Sequence, residues 1–153
     1  MASFTHYWSG ETCDAMAEKS EGRAFGHTAG EDFKGHGILF GDQIYAVSVR
    51  RGILYLIGRL LVDKVCNQSA AEAALNYEPW EASDHFLAAR RAKTPMRFSR
   101  KVSLRHAKLL RFPTKTGLKL LKFESTGLLD RQTLRGVRRL DDASAKLLDR
   151  LIK

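Results

Sequence analysis

Gln43-Ile44-Tyr45-Ala46-Val47-Ser48-Val49-Arg50-Arg51-Gly52-Ile53-Leu54-Tyr55-Leu56-Ile57-Gly58-Arg59-Leu60-Leu61-Val62 is the stretch on which the fold turns. Ile44, Ala46 and Ser48 alternate with Tyr45, Val47 and Val49, the period of two that sends successive side chains to opposite faces of a strand. Arg51-Gly52 then offers a two-residue turn, and Ile53 to Val65 continues as a β-branched and leucine-rich return strand. The spacing predicts a long β-hairpin. Gly58 falls at the most apolar point of the second strand, where a missing side chain predicts a bulge or a close backbone approach, the kind of bend that helps a sheet curl.

Upstream, Ser3 to Trp8 predicts a first strand, and Ser9 an N-cap for a short helix through Met16. Six glycines between Gly22 and Gly41 predict a structured loop over Glu21 to Gly41. Downstream, Ser69-Ala70-Ala71-Glu72 matches a capping box and predicts a short alanine-rich helix ending at Asn76 or Tyr77. Glu78 to Asp84 reads as loop around Pro79 and Trp80. Val102 to Phe112 and Leu118 to Phe123 are expected to be strands of a second hairpin. Asp141 is the expected N-cap of a final helix carrying Leu147, Leu148, Leu151 and Ile152 on one face.

With 153 residues, 44% of them apolar, the chain suits a single globular domain over residues 1–153 with a sizeable core. No apolar run approaches the length of a membrane span, so no membrane partner is expected. Met1 to Trp8 has no basic start followed by an apolar segment, so a secretory signal is not predicted and the cytoplasm is the expected compartment. Cys13 and Cys66 stand apart, without metal-binding spacing, so they are read as reduced, buried thiols, and neither a metal nor a cofactor is expected.

The net charge of +9 is distributed unevenly. Residues 1–89 carry 7 Lys/Arg against 12 Asp/Glu, whereas residues 90–153 carry 19 against 5. Between Arg90 and Arg111 stand nine basic residues and no acidic one. Such a block repels itself unless an anion neutralises it, and a polyphosphate backbone does so with release of counterions. The expected partner is DNA or RNA. Its phosphates are assigned to Arg90, Arg91, Lys93, Arg97, Arg100 and Lys101, with Arg131, Arg135, Arg138 and Arg139 as a second group. Neighbours on one strand, such as Arg138 and Arg139, point to opposite faces, so the ten cannot act as one surface.

The order of elements resembles the EVE family of PUA-like barrels. The residues that carry the likeness are Tyr7-Trp8 at the end of the first strand, Gly41-Asp42-Gln43-Ile44-Tyr45 leading into the hairpin, and Leu56-Ile57-Gly58-Arg59-Leu60-Leu61-Val62 within it. At the end of the chain, Arg131-Gln132-Thr133-Leu134-Arg135-Gly136-Val137-Arg138-Arg139-Leu140 is similar to the family's closing strand. Where the family's pocket begins with Trp-Asp/Ser-Gly-Val-Arg-Asn, this chain has Ala24-Phe25-Gly26-His27-Thr28-Ala29-Gly30, keeping the aromatic and one glycine. The resemblance implies an α+β, strand-dominated fold: a small PUA-like β-barrel with peripheral short helices and a C-terminal helix. It also implies a reader of nucleic acid that takes up a base, one bearing a modification.

A base drawn from its stack needs aromatic faces and a few short polar groups converging on its edge. Tyr7, Trp8, Phe25, His27, Thr28, Ser48, Trp80 and His85 are the candidates for that pocket. None of the HExxH, GxSxG, Walker A or GxGxxG patterns occurs, and no catalytic residue is assigned. Two other readings stay open: an ASCH-like ribonuclease with His27 and His85 as acid and base, and an interaction module whose basic face docks an acidic protein.

Overall fold

The computed structural model describes residues 1–152, the side chains of Arg91 and Ala92 excepted. The fold is α+β with more strand than helix, organised on one mixed sheet. Strand β1 (Ser3–Tyr7) leads into helix α1 (Gly10–Ser20), whose N-cap Ser9 accepts a hydrogen bond from the Thr12 amide. The helix outlasts the expected end at Met16 because Ala17, Glu18 and Lys19 all favour helix, and the chain leaves it only before Gly22, at φ +80°. Inside the glycine-rich segment lies an unforeseen strand, β2 (His27–Gly30), followed by a 3-10 turn at Lys34–His36.

The hairpin follows as expected, with β3 (Gln43–Arg50) and β4 (Ile53–Cys66) joined by Arg51 and Gly52. Both turn residues have positive φ, +52° and +74°, the backbone twist that matches two flanking right-handed strands. Ala46 pairs with Gly58 and Val47 with Leu56, so Ile57 is the extra residue of a bulge. A Cβ on Gly58 would stand 3.3 Å from Phe25 and from Thr94 Oγ1, so the glycine serves both the bend and a close approach.

Beyond β4 the capping-box expectation is corrected: Asn67 is the N-cap, its Oδ1 accepting from the Ala70 amide, and helix α2 (Gln68–Ala74) begins earlier than a cap at Ser69 would allow. Ser69 lies inside the helix, and the helix stops short of Asn76. Strand β5 (Asp84–Lys93) then pairs with β4 on one edge and β2 on the other. The strand expected over Val102 to Phe112 is instead three elements: β6 (Lys101–Val102), helix α3 (Leu104–Ala107) and β7 (Arg111–Thr114). Ser103 breaks it by accepting from the His106 amide, and Ala107 and Leu110 are buried at the helical spacing of three. β7 forms a separate two-stranded ribbon with β8 (Gly117–Leu120), shorter than the expected Leu118 to Phe123. A 3-10 turn at Arg131–Leu134, strand β9 (Val137–Leu140) and helix α4 (Asp142–Ile152) complete the chain. Asp141 caps α4 by accepting from the Ser144 amide.

The strand order is β2-β5-β4-β3-β1-β9, with β6 on β4; β1 and β3 run parallel and the other pairs antiparallel. β3 is buried on both faces. Ile44 and Ala46 join a core with Phe4, Trp8, Phe25, Phe86 and Phe98, whereas Tyr45, Val47 and Val49 join a second core with Leu134, Leu147 and Leu148. Tyr45 anchors α4: its hydroxyl sits 2.7 Å from Asp149 Oδ1, and Arg59 pairs with the same carboxylate at 2.6 Å. Burial pushes the Tyr45 pKa up, with the Asp149 carboxylate beside it adding to the effect. Cys13 and Cys66 are both free and buried, and among the described residues no helix is long and apolar enough to cross a membrane.

Candidate functional site

Period-two alternation along β1 puts His6 and Trp8 on the same side of the strand, facing Thr28 of β2 across the first core. Trp8 Nε1 donates to Thr28 Oγ1 at 3.1 Å, and His6 Nδ1 lies 2.8 Å from the same oxygen. This contact joins β1 and the residue after it to the edge strand β2. Between them lies a cleft of about 810 Å³. Ala29 of β2 and Trp80 line it, as do Arg135 and Gly136 just before β9. Tyr7, Trp8 and His6 lie along β1, and the first turns of α1, from Ser9 to Met16, complete the enclosure. The Tyr7 amide donates to Gly136 O at 3.0 Å, which fixes the Arg135 side of the opening to β1.

The aromatic rings are held from behind. Trp8 is buried, with Phe25 edge-on at 5.4 Å and Phe98 at 6.4 Å. Trp80 meets Trp8 at 6.1 Å and 86°, so the two indoles form a right-angled corner. Trp80 donates from Nε1 to the Ala29 carbonyl at 3.2 Å and lies against His27, with 5.1 Å between ring centroids. Trp80 is the partly exposed indole of the two, so a planar ligand would stack on Trp80, with the buried Trp8 holding it from behind.

His27 and His85 support this corner without entering the cleft. The β2–β5 register opposes His27 to Leu87 and Ala29 to His85, making the two histidines diagonal neighbours on one face. Their rings stack at 12°, with His27 Nε2 2.9 Å from His85 Nδ1. Gln68 Oε1 accepts from the Ala82 amide, so His85 Nε2, 2.6 Å away, is the donor to it. Donation then runs in one direction: Tyr77 hydroxyl to His27 Nδ1, His27 Nε2 to His85 Nδ1, and His85 Nε2 to Gln68. Burial pushes His27 down to about 4, with His85 adding to the effect, and burial lowers His85 as well. Both imidazoles are neutral, and all four ring nitrogens are engaged.

Of the expected pocket residues, the structure brings Tyr7, Trp8 and Trp80 to the cleft. Thr28 is fully buried beneath it as the shared hydrogen-bond partner, and Phe25 backs Trp8 in the core. Ser48 is displaced to a different place: it is fully buried below α1, its hydroxyl without a nitrogen or oxygen partner and beside the Cys13 thiol. His6, Glu11 and Gln132 belong to the cleft and carried no expectation. The signal for His6 was available, since a pocket-facing Trp8 implies the residue two before it.

The basic residues divide. Arg135 lines the cleft together with Arg131. Arg97 and Arg100 line a second hollow of about 430 Å³ with Pro95, Ser99 and Ile152. Arg100 has a structural task there, donating from one guanidinium nitrogen to the Leu56 and Ile57 carbonyls at 3.1 and 3.2 Å, beside the bulge. Arg97 faces Glu21 at 4.0 Å. Arg90, Lys93, Lys101 and Arg138 are exposed, and the side chain of Arg91 lies outside the described residues. Among the described residues no group of three or more His, Cys, Asp or Glu is placed to hold a metal ion. Comparison with protein-family models, curated proteins and solved structures finds no match for this chain.

Proposed function

We propose that this protein is a nucleic-acid-binding module that takes one base, unstacked from its strand and bearing a modification, into the cleft between β1 and β2. The observation that carries the reading is the meeting of one accessible indole, Trp80, backed by the buried Trp8, with two arginines, Arg131 and Arg135, around one opening. Bases bind by stacking and phosphates by cationic contact, and this opening offers both kinds of group within the reach of a single nucleotide. The exposed cations Arg90, Lys93, Lys101 and Arg138 add long-range attraction. With this function goes the finer fold reading, a PUA-like, EVE-like barrel in which the sheet curls until Thr28 meets His6 and Trp8.

The neutral, fully bonded state of His27 and His85 suits a rigid support for Trp80 rather than an acid–base pair. Two substitutions separate the roles. Trp80→Ala removes the stacking surface and is expected to weaken base-dependent binding by about 1–3 kcal/mol at every salt concentration. Arg135→Ala is expected to weaken binding to all sequences alike and to lower the salt slope by about one counterion. Equal effects of the two variants on every oligonucleotide would defeat the proposal.

A further inference from the structure

We infer that His6 selects the edge of the ligand: its Nε2–H is a fixed hydrogen-bond donor in the cleft, and the base it fits presents a keto oxygen there rather than an amino group. The inference rests on the nucleic-acid reading above and adds the chemistry of the ligand edge to it.

The protonation pattern follows from counting donors. An indole nitrogen can only donate, so Thr28 Oγ1 accepts from Trp8 at 3.1 Å. The Thr28 hydroxyl has one proton of its own, and the residue is fully buried. His6 Nδ1, at 2.8 Å, is the remaining polar atom within reach. Were Nδ1 protonated, both neighbours would donate to Thr28 and its own proton would be stranded in the core, at the cost of an unmet buried hydrogen bond. Thr28 therefore donates to Nδ1, and the proton of the His6 ring resides on Nε2. That nitrogen has no partner among the described residues.

The ring is also locked in place and in charge. His6 is 8% exposed and lines the cleft, and its ring packs at a right angle to Phe33, 4.6 Å between centroids. Burial pushes its pKa down to about 3, so near neutral pH it offers one donor and no positive charge. A donor that can neither turn nor change its tautomer without stranding the Thr28 hydroxyl proton in the core reads hydrogen-bond polarity. A carbonyl satisfies it; an amino group presents a second donor and leaves both unpaired.

The test uses the full chain and matched single-stranded oligonucleotides differing in one central base: hypoxanthine against adenine, and uracil against cytosine. An abasic version serves as reference, at fixed ionic strength. The keto member of each pair is expected to bind about tenfold more tightly, the worth of one hydrogen bond and of the unmet donor it prevents. His6→Phe keeps a ring against Phe33 and should bring the two members of each pair within about twofold, while His6→Gln, which retains an amide donor, should keep part of the preference. Because variants at a buried position can lose the fold, the imidazole ¹⁵N spectrum of the unsubstituted protein gives an independent reading. It should show His6 protonated at Nε2, with that signal moving when the uracil oligonucleotide is added. Base-dependent binding without a keto preference, or a His6 protonated at Nδ1, overturns the inference alone. Equal affinity for the abasic and the base-containing oligonucleotides overturns the nucleic-acid reading and this inference with it.

Discussion

Acidification should destabilise this protein well above the pH at which most carboxylates take up protons, because two imidazoles are neutral in the fold. His6 and His27 have folded-state pKa values of about 3 and about 4, against 6.5 in an unfolded chain. Between 6.5 and those values the unfolded state binds more protons than the folded one, so stability falls as pH falls. The loss begins near 6.5, continues to about 4 for His27 and to about 3 for His6, and levels off below. From about pH 7 to about pH 5, each group contributes a loss of roughly 2 kcal/mol, so the pair removes about 4 kcal/mol from a total of typically 5–15 kcal/mol. His85, lowered in the same direction, adds to it. Urea unfolding followed by the fluorescence of Trp8 and Trp80 at several pH values measures the loss directly. His27→Asn should reduce stability throughout and roughly halve the pH dependence, since one of the two strongly shifted groups is gone. Stability that is flat over this range, a variant with an unchanged slope, or NMR titration of either imidazole near 6.5 would refute the reasoning.

Four substitutions test the local contacts that hold the sheet and its helix. Gly58→Ala places a methyl 3.3 Å from Phe25 and from Thr94 Oγ1, and Thr94 is held by Arg59, so the urea midpoint should drop by the equivalent of about 1–3 kcal/mol. Arg100→Ala strips the Leu56 and Ile57 carbonyls of their guanidinium partner and should lower Tm by several degrees, corresponding to roughly 1 kcal/mol or more. Asn67→Ala should cost about 1 kcal/mol, whereas Ser69→Ala should be close to neutral; the reverse ranking in thermal melts would restore the capping box at Ser69.

The β3–β4 hairpin was legible because its signals are local: alternation, a positive-φ turn at Arg51-Gly52, and one glycine in an apolar run. β5 was not. Ala88-Ala89-Arg90-Arg91 reads as small and basic, and its strand character comes from lying between β4 and β2, partners far off in the chain. The same distance hid the histidine relay: His27 and His85 are 58 residues apart, and only the β2–β5 register makes them neighbours. Trp8 was recognisable at the end of the first strand and Trp80 as an aromatic carried on a loop, but nothing in their spacing places them side by side. Ser48 misled because alternation assigns a side of the strand, here the side beneath α1, and not a height along the cleft. Arg100 misled because a charge count does not distinguish a cation facing solvent from one that satisfies backbone carbonyls.

The central claim is that a base, and not the phosphate backbone alone, occupies the cleft. The most direct measurement is the affinity of the unsubstituted protein for a set of single-stranded oligonucleotides identical but for one position, which carries an unmodified base, a modified base or no base, over a series of salt concentrations. The account predicts that removing the base weakens binding by about 1–3 kcal/mol, and that this difference persists as salt rises while overall affinity declines. Identical affinities at every salt concentration, with and without the base, would contradict it.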